Sequence, residues 1–369
     1  MKPGIRAPKT YRLWSRLFRL SLAGLFLLTS ACATGQTNLL QRSKPGPQWP
    51  EAPMAPQIEW VRSISTPEDA GIGVSFWKKI VKLIAGPDPR QFTKPYGVLY
   101  DAADRLFVAD TGAGVVHLMD TRQRQYRRIT KEQGRAFISP IGLAEDASGR
   151  LYITDSEAGA VYRYDLATGQ LSLFMGKLAR PTGIAYNAVN HLLYISETTA
   201  HRVLAVDENA KVKWSFGDTP GSIGTVPFNL PTDVTVDRKG QVYVNDPLNY
   251  KIRIFTPEGL QVGQFGAMGD SSGEMNKPKG IAVDPEGSIY VADALLDAVQ
   301  IFDDTGQFLF TFGGVGTEDG AFWMPSGIFI RGEFIFVTDT YNQRIQIFRR
   351  VAPERESSAV SGVAAAPKR

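Results

Sequence analysis

A motif that recurs six times constrains the fold of this chain more than any other feature. Each copy opens on a proline that is followed two residues later by glycine or aspartate, and successive prolines are 41 to 50 residues apart. The six openings are Pro95–Gly97, Pro140–Gly142, Pro181–Gly183, Pro231–Asp233, Pro278–Gly280 and Pro325–Gly327. A period of this length, built from short β-rich runs, predicts propeller blades rather than helical repeats.

Each copy contains four short runs with strand character. In the fifth copy they read GIAV, IYVA, AVQIF and FLFTF, and glycine-containing breaks such as DPEGS and DDTGQ separate them as hairpin turns. A lone four-stranded sheet cannot bury both of its faces, whereas six sheets packed around an axis can. The sequence therefore predicts an all-β, six-bladed propeller over residues 58–350.

The last copy lacks its fourth strand. After its third run, Arg344–Phe348, the chain continues as RRVAPERE, which is a poor strand. A suitable segment precedes the first copy, since QIEWVRSISTPEDAG resembles QFLFTFGGVGTEDGA of the fifth copy. We therefore predict that Ile58–Ser65 is the fourth strand of the last blade, so that the two chain ends pair and close the ring.

The repeats resemble a known family. The pattern P-x-G-I-A-V-D, then G-x-I-Y-V-A-D, then R-I-Q-I-F is similar to the NHL repeat over about residues 90–349, and Tyr341–Ile345 is close to the segment that names the family. The resemblance implies a six-bladed propeller. It leaves the activity open, because relatives include protein scaffolds, RNA-binding modules and metal-dependent enzymes.

The N-terminus has the form of a bacterial lipoprotein signal. A basic stretch precedes the apolar run Leu20–Ala31, which is too short to span a bilayer, and the only cysteine, Cys32, follows at once. We predict a signal peptide over residues 1–31, a lipidated Cys32 and a flexible tether over 32–57. Because Ala33 is not aspartate, the resemblance implies an outer-membrane lipoprotein facing the periplasm. The alternative is an ordinary signal peptide.

Two further segments stand outside the repeats. Residues 75–85, SFWKKIVKLIA, have apolar residues at helical spacing with lysines between them, which predicts an inserted helix. That helix either packs over one end of the ring or contacts anionic lipid. Residues 351–369 are rich in Ala, Ser and Pro and are predicted to be a disordered tail.

Acidic residues close the second strand of every repeat. Blades 3, 4 and 6 place a basic residue five positions later, which can pair with the acid, whereas blades 1, 2 and 5 do not. The structural interpretation is that these acids accept backbone N–H groups. The functional hypothesis is a negative face that binds a cation or a basic partner segment. Its candidate residues are Asp110, Asp155, Glu157, Asp293 and Asp297.

Catalytic motifs are scarce. The three histidines, His117, His191 and His201, fall at different places in their blades and are not expected to share a metal. Gluconolactonase-like propellers hold calcium through acidic and amide groups, for which Asn245 is a candidate ligand here. No cofactor is predicted, and a divalent cation such as calcium stays open. Whether the chain is an enzyme also stays open, and a binding protein is favoured.

Nucleic-acid binding is the third class. Basic residues flank the blade-starting prolines at Lys94, Arg180, Lys277 and Lys279, and NHL domains can bind RNA there. The predicted location outside the cytoplasm argues against this partner. The sequence thus predicts an envelope lipoprotein whose propeller binds a protein or small ligand. The alternative is a metal-dependent hydrolase or lyase that works in the central channel.

Overall fold

A computed structural model describes residues 39–51, 53–55, 57–73, 90–131, 134–217 and 227–351, all within one compact unit. The predicted signal peptide, Cys32 and the helix over 75–85 lie outside the described residues, as does the tail beyond Val351. Within the described part of the chain, no helix has the length and apolarity needed to cross a bilayer. A three-residue 3-10 turn covers Thr198–Ala200.

Six antiparallel sheets form the blades, and each of the first five repeats contributes strands a, b, c and d in order. Blades 1 to 3 contain β3 (Pro95–Tyr100), β4 (Arg105–Asp110), β5 (Val115–Asp120), β6 (Gln125–Ile129), β7 (Pro140–Glu145), β8 (Arg150–Asp155), β9 (Ala160–Asp165), β10 (Leu171–Met175), β11 (Pro181–Asn187), β12 (Leu192–Glu197), β13 (Arg202–Val206) and β14 (Val212–Phe216). Blades 4 and 5 contain β15 (Asp233–Val236), β16 (Val242–Asp246), β17 (Lys251–Phe255), β18 (Gln261–Phe265), β19 (Pro278–Val283), β20 (Ile289–Asp293), β21 (Ala298–Phe302) and β22 (Phe308–Gly313).

Blade 6 closes the ring in the predicted way. Its strands a to c are β23 (Pro325–Arg331), β24 (Phe334–Asp339) and β25 (Arg344–Arg350), and its fourth strand is β2 (Ile58–Ile64). β2 pairs antiparallel with β25, with Ile64 opposite Ile345 and Ile58 opposite Arg350. The six-bladed all-β fold and its closure by an N-terminal strand are therefore confirmed.

Each sheet buries both faces between its neighbours. In blade 6, alternate residues of β24 point to opposite sides, so Phe336 packs against blade 1 and Val337 packs against blade 5. One apolar cluster of this kind fills each of the six blade interfaces. Aspartates order the a–b turns, as at Asp284, whose Oδ1 accepts the backbone N–H groups of Glu286 and Ser288.

The segment before β2 is structured where the sequence predicted a flexible tether. β1 (Gln48–Trp49) adds a fifth strand to blade 6 beside β2, and Trp49 packs 5.8 Å from the rings of Phe312 and Phe348. Leu39 is 1% exposed in the cluster between blades 6 and 1. The tether prediction is thus wrong for residues 39–51, because β1 pairs with the open edge of β2 and the apolar side chains of Leu39 and Trp49 pack against the propeller.

The two ends of the ring are defined by the strand directions. Each strand a begins, and each strand b ends, at the same end, as shown by Pro95 lying opposite Asp110. The b–c loops and the d–a loops lie at this end, which is called the mouth face below. The a–b and c–d turns lie at the opposite end.

Candidate functional site

A central channel runs along the axis and is lined by strand a of all six blades. Its cavity volume is about 290 Å³, and its wall extends from Tyr96 and Lys279 near the mouth face to Tyr100 and Arg331 near the opposite end. Because every blade contributes the same strand, the repeat pattern itself decides which side chains face this space.

The glycine of each opening motif allows the blades to approach closely. A Cβ added at Gly97 would lie 2.0 Å from the carbonyl oxygen of Ile141 in the next blade, and one at Gly142 would lie 2.4 Å from the carbonyl oxygen of Thr182. Contacts this short admit only glycine without displacement of the neighbouring backbone. The glycines are therefore explained by blade packing.

Hydroxyl and amide groups in alternate blades connect these same positions. In blades 2, 4 and 6 the residue before the closing acid donates to a carbonyl of the following blade. Thr154 Oγ1 reaches Thr182 at 2.6 Å, Asn245 Nδ2 reaches Lys279 at 2.9 Å, and Thr338 Oγ1 reaches Tyr96 at 2.7 Å. These bonds fix the channel wall from one blade to the next.

Asp233 replaces the glycine in blade 4 and places a carboxylate on the channel wall. Its oxygens accept N–H groups from Ile281 of blade 5 and from Val234, each at 3.0 Å. Burial raises the pKa of Asp233 to about 7, although these two hydrogen bonds act in the opposite direction. A carboxyl group with this pKa is able to take up and release a proton near neutral pH.

Cations surround the mouth of the channel. The Lys279 ammonium lies 5.5 Å from the ring centre of Tyr96. Burial, together with the charges of Lys277 and Lys94, lowers the pKa of Lys279 to about 8. Burial likewise raises the pKa of the Tyr96 phenol, with a second contribution from Asp233 and an opposing one from Arg180. Lys94, Arg180, Lys277 and Lys279 are called the mouth cations below.

The opposite end of the channel carries a balanced pair of charges. Glu145 lies 3.6 Å from the Arg105 guanidinium, and Arg105 also binds Asp101 at the a–b turn of blade 1. Burial and the nearby Asp101 charge raise the pKa of Glu145, while Arg105 and Arg331 lower it. The charges at this end are therefore paired with opposite charges, whereas among the described residues the basic side chains at the mouth are not.

The blade-closing acids of blades 1, 2 and 5 are fully buried. The carboxylate of Asp110 accepts four backbone N–H groups, two of them from Thr93 and Lys94 of the preceding loop. Asp155 and Asp293 accept the corresponding groups of their own d–a loops. The negative surface predicted from these three aspartates does not form, because backbone dipoles inside the loops hold their charges.

The charged partners of these acids agree only in part with the predicted ones. Glu197 and Asp339 bind the arginines five positions later, at 2.6 and 2.7 Å. The expected pairing of Asp246 with Lys251 is wrong, because Arg253 at 2.6 Å takes that place. Asp110 also has a partner, His117 at 3.3 Å, and Asp155 has Lys131 at 3.3 Å.

The remaining candidates lie in different environments. Glu157 is exposed in a b–c loop, whereas Asp297 accepts the N–H of Met324 at 2.7 Å. Asn245 is buried, and its Nδ2 donates to the Pro278 and Lys279 carbonyls. Its Oδ1 has no hydrogen-bond partner among the residues that the structure describes. Cys32 lies outside the described residues.

A metal does not fit this set of donors. Across the residues that the structure describes, no three His, Cys, Asp or Glu side chains converge as metal ligands. The unpartnered oxygen of Asn245 is one ligand, whereas calcium takes six to eight oxygens, and Asp233 is already occupied with backbone N–H groups. No step is therefore assigned to a bound cation.

Sequence reasoning considered the four mouth cations only as a nucleic-acid site, which it disfavoured, and it missed Asp233. The signal for Asp233 was visible, since it is the single departure from glycine in six otherwise matching motifs. The convergence of the cations was not visible, because it depends on the ring bringing blades 1, 3 and 5 to one opening.

Comparison with known proteins supports the fold and leaves the activity open. The virginiamycin B lyase structure from Staphylococcus aureus is similar with 12% identity and a TM-score of 0.54, covering 80% of this chain and 100% of that one. An auxiliary nutrient binding protein and a protein of unknown function, both from Bacteroides thetaiotaomicron, have TM-scores of 0.57. The nutrient binding protein is 15% identical, and its match covers 70% of this chain and 69% of that one. The protein of unknown function is 16% identical, and its match covers 70% of each chain.

Sequence comparison points to a related set of propellers. No curated protein matches this sequence. Residues 89–268, slightly less than half of the chain, match the family described as SMP-30/Gluconolactonase/LRE-like region. The finer resemblance to NHL repeats stays a prediction. The chain is thus a six-bladed β-propeller whose first four blades are similar to the SMP-30/gluconolactonase/LRE-like region.

Proposed function

We propose that this protein is an envelope lipoprotein whose propeller is a binding scaffold, and that its mouth face recognises an anionic ligand or partner. The observation that carries the proposal is the convergence of the mouth cations around one opening. In the described part of the chain, none of these four side chains forms an ion pair with a carboxylate. Like charges held together without counter-charges favour a negative ligand.

The sign of this surface reverses the hypothesis drawn from the sequence. Three of the acids that were expected to make the face negative, Asp110, Asp155 and Asp293, are buried among backbone N–H groups. The mouth cations Lys94, Arg180 and Lys277 are exposed, and Lys279 is partly buried. A propeller fold is compatible with binding and with catalysis, since the similar structures include an auxiliary nutrient binding protein and a virginiamycin B lyase. The choice between these functions rests on the site.

A pair of charge-reversed probes tests the proposal. We expect a fluorescent polyglutamate peptide to bind the purified full chain more tightly than a matched polylysine peptide, measured by anisotropy at low salt. The double variant Lys94→Gln/Lys277→Gln should bind polyglutamate about 5-fold more weakly, from two exposed charges of below 1 kcal/mol each. The matched control, Lys211→Gln/Lys239→Gln, changes exposed lysines of turns at the opposite end. Equal loss in both variants, or preference for polylysine, contradicts the proposal.

The anchor is proposed from the sequence and needs its own test. Mass spectrometry of the mature N-terminus should find acyl chains on Cys32, and the protein should fractionate with the outer membrane. A mature protein that begins elsewhere, or a Cys32 without acyl chains, would refute the lipoprotein assignment while leaving the binding face untouched.

The second candidate is a hydrolase or lyase that works in the channel. The specific observation in its favour is Asp233, a channel carboxylate whose pKa of about 7 suits a general base. A screen of lactone substrates with the parent and Asp233→Asn would test it, together with metal analysis of the purified protein. Turnover that Asp233→Asn abolishes would place the enzyme ahead of the scaffold.

A further inference from the structure

The mouth face carries exposed apolar side chains in addition to its cations. They lie in b–c and d–a loops and are between 49% and 80% exposed. The set comprises Ile138, Leu248, Met268, Leu295, Val315, Trp323 and Tyr341. All but Ile138 belong to blades 4 to 6 or to the loops that join them. A surface that combines apolar side chains with cations marks an interaction site rather than a bare solvated end.

Aromatic rings and a lysine meet on this face between blades 6 and 1. The rings of Trp323 and Tyr341 lie 5.6 Å apart, and the Lys94 ammonium lies 5.9 Å from the Tyr341 ring centre. Both rings are about half exposed. Tryptophan, tyrosine and lysine are the residues that concentrate at the boundary between lipid headgroups and acyl chains.

The N-terminal chain reaches the propeller at this same face. Residues 41–49 run alongside β2, and the Gln41 carbonyl accepts a bond from Arg62 near the end of β2 that adjoins the mouth face. Leu39 packs with Ala70 and Phe92, which lie in the loops preceding blade 1. The chain outside the described residues therefore ends at the rim of the mouth face.

The short segment between Cys32 and Leu39 limits the distance between the bilayer and the mouth face. Only six residues separate Cys32 from Leu39, so the extended chain reaches at most about 25 Å from the rim. A six-residue strand is itself about 20 Å long. An anchor at Cys32 therefore keeps the mouth face near the bilayer, and the opposite face has little chain left to reach it.

We infer that the mouth face docks on the anionic headgroup surface of the bilayer to which Cys32 anchors the protein. This inference rests on the proposed lipid anchor and names the anionic partner as phospholipid. Trp323, Tyr341 and the apolar loop residues insert at the headgroup level, and the mouth cations contact phosphates. Exposed Glu157, Asp270 and Glu318 also lie in these loops, so the attraction comes from the cations beside the prolines and not from a uniform charge.

Fluorescence quenching by brominated phospholipids tests the docking. The full lipidated chain is reconstituted in vesicles of phosphatidylglycerol and phosphatidylcholine, and in vesicles of phosphatidylcholine alone. We expect quenching in the anionic vesicles that is lost in Trp323→Phe and kept in Trp214→Phe, a strand d tryptophan of blade 3. Lys94→Gln/Lys277→Gln should shift the docked-to-undocked ratio about 30-fold toward undocked, since each lysine contributes about fivefold near an anionic surface.

The outcomes separate this inference from the anchor and from anion recognition. Vesicle flotation with equal quenching in the parent and Trp323→Phe overturns the docking and leaves the anchor standing. Failure to float refutes both the anchor and the docking. Polyglutamate binding without lipid quenching overturns the bilayer as partner and returns the face to a protein or a soluble anion.

Discussion

Replacing Trp60 by alanine should destabilise the whole propeller by about 4 kcal/mol, because Trp60 lies on the strand that closes the ring. The side chain is 1% exposed and packs in the cluster between blades 5 and 6. Removing a buried tryptophan side chain costs about 3–5 kcal/mol. Its Nε1 also donates to Gln346 Oε1 at 3.1 Å, but that oxygen still accepts Gly320 N–H at 2.8 Å, so the lost bond adds only about 1 kcal/mol.

Urea unfolding and hydrogen exchange together distinguish global from local effects. For a domain of this size, 4 kcal/mol corresponds to a fall in melting temperature of roughly 10 °C. In urea unfolding of Trp60→Ala, tryptophan fluorescence and far-UV circular dichroism should report one common midpoint that is lower than that of the parent. The reason is that opening of β2 exposes the edge of β25 and both flanking apolar clusters.

A matched variant controls for the loss of any tryptophan. Trp214 lies on strand d of blade 3 and is half-buried, and within the described part of the chain its indole Nε1 has no hydrogen-bond partner. Trp214→Ala should cost about 1–2 kcal/mol from partial burial alone. If Trp60→Ala leaves the global midpoint unchanged and only residues 48–64 exchange faster, the closing strand is a local flap and the reasoning is wrong.

Three further changes test the channel and the blade ends. Burial raises the pKa of Asp233 to about 7 from its usual value near 4, so the native state keeps a proton that the unfolded chain releases, and stability falls as the pH rises from about 4 to 7. Asp233→Asn should flatten that fall in urea midpoints measured across this range. Arg253→Met leaves the fully buried Asp246 without its cation and should cost about 3–5 kcal/mol in thermal unfolding. Gly97→Ala should cost about 1–3 kcal/mol, because its Cβ would meet a carbonyl oxygen of the next blade at 2.0 Å, whereas Gly73→Ala meets nothing within 4 Å and should be near neutral in the same assay.

The fold was predictable because its signal is local and repeated. Alternation of apolar residues defines each strand, and six copies in register leave few alternatives to a propeller. The closing strand Ile58–Ile64 was also predictable, since it shares the pattern of the strand it replaces. β1 was not, because a two-residue edge strand has no period, and Leu39 and Trp49 are isolated apolar residues in a proline-rich segment.

The partners of the buried acids depend on strand register, which sequence spacing alone does not supply. Strand c begins opposite the acid, so the residue at the fifth position is adjacent along the ladder, as with Lys251 opposite Asp246. The residue seven positions after the acid lies two residues further along strand c, so its side chain is on the same face as that of the residue five positions after the acid. His117, Arg253 and Gln346 occupy it, and each contacts the acid of its own blade.

The sign of the mouth face follows from which charges have partners inside the fold. A carboxylate that ends strand b meets converging N–H groups of the d–a loop, and these bonds hold it out of solvent, as at Asp110 and Asp293. The lysines beside two of the opening prolines, Lys94 and Lys277, are exposed and form no ion pair with a carboxylate among the described residues. The sequence hypothesis of a negative face counted carboxylates that backbone donors inside the fold already hold, whereas in the described part of the chain the lysines beside the prolines have no such partners.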